Sequence, residues 1–288
     1  MTDARFLFLF SPNNSGSTAL SQYAAGQVDG YLPPFGNNEG QMAPAVKAQM
    51  RQKPWSEKSQ FDWAFIRAEW ERLRDEAGKE IFVEASPPNI VRVDRIVAAF
   101  GPEQLYALCV SSPYLYIGSS LYNYGAPPMR PEKLRAAAAG WLRRAGWLVA
   151  WRSAFPDMPL ITYEAFCADP TALNRALGLP VRPAPDIAGK DTTGVRGVRD
   201  MTAGTVSFLS ASEIDIINGA LEAGRAEMSA LGYEIEPGEA IIARALEEPV
   251  MAHKGAIRRA DWAGRPRRAA KRANAPARPA WRRFLGLS

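Results

Sequence analysis

Asn14-Ser-Gly-Ser-Thr18 follows an unbroken apolar run, Phe6-Leu-Phe-Leu-Phe10, by way of Ser11-Pro-Asn13. Small, hydroxyl-bearing residues at the mouth of a buried strand suit the binding of an anion. Gly16 permits a tight turn whose N–H groups converge, and a helix opening at Ser17 or Thr18 turns its unpaired amides and positive dipole end toward the same point. Asn14, Ser15, Gly16, Ser17 and Thr18 are therefore candidate phosphate-binding residues. The same residues also suit an ordinary strand-to-helix turn with a serine N-cap. They do not make a Walker A loop, which requires Gly-x-x-x-x-Gly-Lys-Ser/Thr, because no lysine lies between Met1 and Gln41.

The elements that must position this loop follow from apolar patterning. Phe6–Phe10, Ile81–Val83, Leu105–Val110 and Leu160–Tyr163 read as short buried strands. Between them, helical spacing over Gln60–Glu76, from Asn89, over Pro131–Ala154 and over Ser212–Leu231 predicts helices, while Gly30–Gly40 reads as a loop. This alternation predicts an α/β fold of three layers, a parallel sheet with helices on both faces. In such sheets ligands gather at the carboxyl ends of the strands. The turns Ser11–Thr18, Glu84–Pro88 and Ser111–Ser119 would meet there.

The chain has 288 residues, which fits one large domain and a tail. Residues 251–288 hold eleven Lys/Arg and one acid, while residues 1–250 hold 24 Lys/Arg against 29 Asp/Glu. We expect a folded body over 1–250 and a basic, disordered tail over 251–288, either simply solubilising or an adaptor for an anionic membrane surface or acidic polymer. Trp281, Phe284 and Leu285 among arginines tilt the partner toward a membrane. No apolar run reaches the length of a membrane helix and the first residues do not read as a signal peptide, so the expected location is the cytoplasm, with peripheral attachment to the inner membrane face through the tail. Cys109 and Cys167 read as free thiols, and no metal site or specific nucleic-acid site is expected.

Together, in this order, the three turns resemble those of the sulfotransferase family, which transfers a sulfonate from phosphoadenosine phosphosulfate to a hydroxyl or amine. The resemblance covers roughly residues 5–235. Asn13–Thr18 aligns with the phosphosulfate loop, Glu84-Ala-Ser-Pro-Pro-Asn89 with a Glu-Lys-Ser/Thr-Pro-x-Asn motif, and Val110-Ser-Ser-Pro-Tyr114 with Ser119 aligns with the ribose-phosphate motif. Tyr163-Glu-Ala-Phe166 and Leu231-Gly-Tyr233 match later family segments. The resemblance implies phosphoadenosine phosphosulfate as donor, with no metal. Ser86 would orient it, and Ser111 and Ser119 would lie at its ribose phosphate. Three family cations are missing, since Asn14, Ala85 and Ser111 stand where Arg or Lys is expected. Arg92, Lys190, Arg196 and Arg199 are the candidate replacements.

The resemblance also implies a general base. The single histidine, His253, falls in the tail, which leaves Glu39, about twenty residues past the loop where glutamate-using branches place their base, with Glu84 as the alternative. Tyr114, Tyr116, Tyr122, Tyr124, Trp141, Trp147 and Trp151 are either core or the lining of an acceptor pocket suited to a saccharide or lipid-linked saccharide. Two other functions remain open: a binding module that keeps the fold without catalysis, and a P-loop-type kinase or nucleotide hydrolase.

Overall fold

The computed structural model describes residues 4–124, 129–183, 185, 187, 198, 200 and 202–247, with the side chains of 122–124, 203, 246 and 247 outside that description. Lys190, Arg196, Arg199 and the basic tail lie outside the described residues.

Strands β1 (Phe6–Phe10), β2 (Gly30–Tyr31), β3 (Ile81–Glu84), β4 (Leu105–Val110) and β5 (Leu160–Thr162) form one sheet in the order β2-β3-β1-β4-β5, every pairing parallel. The pleat divides the apolar run of β1 between two cores. Phe6, Phe8 and Phe10 point into one face with Phe82, Leu108 and Val110, while Leu7 and Leu9 point into the other with Val83, Ala107 and Cys109. This two-sided burial is why these strands read as continuous apolar runs.

The phenylalanine face is covered by α2 (Pro44–Met50), α3 (Trp63–Glu76), α4 (Val93–Phe100), α5 (Pro113–Tyr124), α6 (Pro131–Ala154), α9 (Thr202–Val206), α10 (Ala211–Leu221), α11 (Arg225–Ala230) and α12 (Gly238–Glu247). The opposite face is covered by α1 (Ser17–Gln27), α7 (Tyr163–Ala168) and α8 (Thr171–Leu177). The architecture is thus the three-layer α/β sandwich that the alternation implies.

Several boundaries depart from the sequence reading, and the turn expected over Ser111–Ser119 is helical from Pro113. The stretch from Gly30 is not all loop, because Gly30 and Tyr31 add an edge strand beside β3. The helix expected from Asn89 begins as a 3-10 turn over Pro87–Arg92, where two prolines deprive the first turn of N–H donors, and becomes α-helical only at Val93. The helix expected over 212–231 is broken by a 3-10 turn at Glu222–Gly224.

Candidate functional site

The first loop leaves β1 and takes two left-handed residues, Asn14 with φ 60° and Gly16 with φ 75°. Gly16, not a serine, is the N-cap of α1, and no side chain among the described residues caps the helix. The amides that open α1 are consequently left for another acceptor, at the positive end of the helix dipole. The half-buried Ser17 and Thr18 flank them with side-chain hydroxyls unpaired among the described residues.

The loop is held from beneath and from one side. Ser15 is fully buried and accepts a hydrogen bond from the equally buried Ser111 Oγ at 3.0 Å. Asn14 Nδ2 donates to Ser120 Oγ on α5 at 3.1 Å. The Tyr163 ring lies against Gly16 so closely that a Cβ there would stand 2.1 Å from ring carbon Cδ2. The next residue, Glu164, accepts from Ser112 N at 2.9 Å and from Tyr233 OH at 2.7 Å. Burial raises the Glu164 pKa against the pull of those donors. One dipeptide at the start of α7 thus fixes both the first loop and the β4–α5 turn, and Tyr233 from the chain's later segment braces it.

A cation reaches this loop from α6. Arg144 Nε donates to Asn13 Oδ1 at 3.0 Å and Nη1 to the Gly140 carbonyl at 2.7 Å. Its guanidinium lies between aromatic faces, 4.5 Å from the Trp55 ring centre and 5.1 Å from that of Tyr116. Burial lowers its pKa, yet an arginine remains protonated at neutral pH. Among the described residues no carboxylate pairs with it. Packed beside the first loop with no carboxylate partner among the described residues, Arg144 is a candidate functional residue that the motif reading missed. The signal was present: position 144 falls three residues after Trp141 and four before Leu148 on the apolar face of α6, where a charged residue stands out.

The carboxylates lie on the β3 side. Glu84 ends β3, fully buried, and accepts from Gly40 N at 2.7 Å, Ser86 N at 2.9 Å and Asn89 Nδ2 at 2.9 Å. Desolvation lifts its pKa to about 7 against these donors, and the neighbouring charge of Glu39 adds to the rise. Gly40 is enclosed: its carbonyl accepts from Trp70 Nε1 at 3.3 Å, and a Cβ would stand 2.2 Å from Glu84 Oε2. Glu39, immediately before it, is half-exposed and accepts from Gln41 Nε2. Gln22 of α1 donates to Asn38 Oδ1 at 3.4 Å, joining the Glu39 segment to the helix that follows the first loop.

The structure therefore brings Asn14, Ser15, Gly16, Ser17 and Thr18 into one turn and sets Glu39 and Glu84 in one neighbourhood. Other sequence candidates have internal partners. Ser86 Oγ accepts from Gln41 N at 3.1 Å, and Ser111 is locked to Ser15. Arg92 is buried, donates through Nη2 to the Pro54 carbonyl and lies 4.5 Å from the Phe61 ring centre, so it fastens the 54–61 segment. Burial lowers its pKa to about 10. Ser119 is half-buried on α5, beside the Ser120 that contacts the loop.

Of the aromatic candidates, Trp141 is core and donates to the Ser111 carbonyl at 3.2 Å, Tyr114 donates to Asn218, and Trp151 donates to the Ile90 carbonyl. Tyr116 forms one side of the Arg144 sandwich. Trp147 faces an open cleft, and the side chains of Tyr122 and Tyr124 lie outside the described ones. Cys109 and Cys167 are free thiols. No group of three or more His, Cys, Asp or Glu that could hold a metal ion occurs among the described residues, and no helix among them is long and apolar enough to cross a membrane.

No family model and no curated protein matches this chain. Among solved structures it is similar to the sulfotransferase domain from the curacin biosynthetic pathway, at 16% identity over 85% of this chain and 98% of that one, with a TM-score of 0.43. It is likewise similar to the sulfotransferase domain from the Synechococcus PCC 7002 olefin synthase, at 16% identity over 92% of this chain and 97% of that one, with a TM-score of 0.43. Both are domains of the family that the three motifs resemble.

Proposed function

We propose that the chain is a sulfotransferase that moves a sulfonate from phosphoadenosine phosphosulfate to an acceptor hydroxyl. The observation that carries the proposal is the N-terminus of α1 behind a left-handed Gly16, uncapped by any described side chain, with Arg144, which no described carboxylate pairs, on one side and the half-exposed Glu39 on the other. The donor's phosphosulfate end fits this arrangement, since it needs converging N–H groups and a cation, and both are present. Glu39 takes the proton from the acceptor hydroxyl as its oxygen forms a bond to sulfur. The bond from sulfur to the bridging phosphate oxygen breaks, and the charge gained by that oxygen is met by the α1 amides and Arg144. Glu84 holds the Gly40 amide and so positions Glu39.

A second reading, binding without transfer, is favoured by the internal partners of Ser86, Ser111 and Arg92, which leave fewer groups for the donor. Incubation with donor labelled in its sulfate, together with a panel of hydroxyl acceptors, separates the two. Labelled sulfate ester on an acceptor supports the transferase. Donor that binds and yields no ester with any acceptor contradicts transfer and favours the binding module.

A further inference from the structure

An open cleft of about 520 Å³ lies between the segment after α2 and the middle of α6, lined by Trp55, Ser56, Glu57, Lys58, Arg143, Arg144 and Trp147. Its volume is in the range of small-molecule sites. We propose that this cleft is the acceptor subsite and that it takes a saccharide bearing a carboxylate; the inference rests on the transferase reading above.

Four observations lead there. The first is an aromatic wall: Trp55 and Trp147, both half-buried, stand with ring centres 6.4 Å apart and planes 11° apart, and the Arg144 guanidinium lies over the Trp55 ring, which leaves Trp147 as the indole at the cleft. Indole faces accept the C–H face of a sugar ring while polar groups at the rim meet its hydroxyls. Here Ser56 and Glu57 supply that rim.

The second is charge. The cleft presents Lys58, Arg143 and Arg144 against a single carboxylate, Glu57, and that carboxylate already accepts from Trp147 Nε1 at 2.7 Å. Lys58 and Arg143 are exposed and have no ion-pair partner among the described residues. Surplus cations at the mouth of a cleft attract an anionic ligand and discriminate against a neutral one.

The third is position. Arg144 is common to the cleft and the first loop, since it lines the former and donates to Asn13 in the latter. A saccharide lying against Trp147 therefore abuts Arg144 and, through it, the loop at which the donor's sulfonate is held.

The fourth is that the wall is built in advance. Arg92 holds the Pro54 carbonyl and Arg95 Nη1 donates to the Ser59 carbonyl at 2.8 Å, so both ends of the 54–59 segment are fastened to the 3-10 turn and α4. This gives the buried Arg92 a purpose as a positioning residue: it orders the strip of chain that carries Trp55.

The test uses the full chain and three probes, tetragalacturonate, maltotetraose and phosphoadenosine phosphate, each titrated calorimetrically. Wild type is expected to bind tetragalacturonate at least tenfold more tightly than maltotetraose. The exposed double variant Lys58→Glu/Arg143→Glu is expected to lose that preference, and Trp147→Ala to weaken both saccharides, while phosphoadenosine phosphate affinity stays within about twofold of wild type in each. Unchanged melting temperatures establish that the variants fold. Equal affinity for the two saccharides, or no binding of either, overturns the proposal. A parallel loss of nucleotide affinity in the variants also overturns it, by assigning the cleft to the donor. Wild type that binds tetragalacturonate with the expected preference but no nucleotide would leave the cleft as an acidic-saccharide site and sink the transferase reading alone.

Discussion

The two flanks of the first loop are built on opposite principles. On the β3 side a buried carboxylate, Glu84, is surrounded by donors within the chain and fixes the main chain beside Glu39. On the β4 side hydroxyls, an aromatic ring and a half-buried arginine from distant segments converge on the loop. One flank spends its polar groups on holding a potential base in place. The other leaves a cation free of any carboxylate among the described residues. An arrangement with basicity on one side and positive charge on the other suits moving a proton away from an oxygen while charge builds up on a leaving group.

The largest effect is expected at the contact between the loop and the β4 flank. Gly16→Ala places a Cβ 2.1 Å from Tyr163 at a backbone φ of 75°, so the loop and α7 cannot both keep their places. Nucleotide binding should be abolished and the melting temperature lowered. Gly78→Ala is the control: its φ is 65°, but nothing lies within 4 Å of the added atom, and only the local strain of about 1–2 kcal/mol should appear. Equal effects at the two glycines would break the assignment of the loop as a shared structural centre.

The carboxylate flank is tested next by separating its two members. Glu39→Gln should lower turnover by roughly 10²–10⁴ while leaving folding and nucleotide affinity nearly unchanged. Glu84→Gln should instead act on stability, because it alters a group with three donors in a fully buried position. If Glu84→Gln alone abolished turnover with stability intact, the roles would be exchanged.

Stability against pH sharpens the same contrast. The Glu84 pKa rises from 4.5 to about 7 on folding, so between those values the native state keeps a proton that the unfolded chain has released. Its contribution therefore falls as pH rises through that window and levels off above it, by on the order of 3 kcal/mol. Denaturant unfolding from pH 4.5 to 7.5 should show this fall in wild type, and Glu84→Gln should flatten it. Glu39→Gln should narrow the window, since the Glu39 charge contributes to the rise. A slope unchanged in Glu84→Gln would contradict the assignment.

The smallest effect belongs to the outer brace of the β4 flank. Tyr233→Phe removes one hydrogen bond to Glu164 and should cost about 1 kcal/mol in denaturant unfolding, with nucleotide affinity only mildly reduced. A loss of affinity as large as that of Gly16→Ala would place Tyr233 at the ligand itself.

The difference between the flanks also accounts for what could be read in the sequence. Strands such as Phe6–Phe10 are legible because burial on both faces makes every residue apolar. The loop and the Glu84 motif are legible because their chemistry is contiguous. The β4 flank is not, because its contacts join residues far apart in the chain: 131 positions separate Arg144 from Asn13, and 106 separate Ser120 from Asn14. Motif alignment set Ser86 and Ser111 at the donor and offered Arg92 as a replacement cation, and the sequence could not show that each has a partner within the chain. Arg196, Lys190, Arg199 and the tail fall outside the described residues.

The claim that the uncapped α1 turn and Arg144 together hold the donor's anionic end is tested most directly by calorimetric titration of phosphoadenosine phosphate in the presence of a chelator. Wild type should bind one equivalent without metal, and Arg144→Gln should bind at least tenfold more weakly, since a hydrogen bond to a charged group is worth about 1.5–3 kcal/mol. No binding by wild type, or equal affinity in wild type and Arg144→Gln, would contradict it.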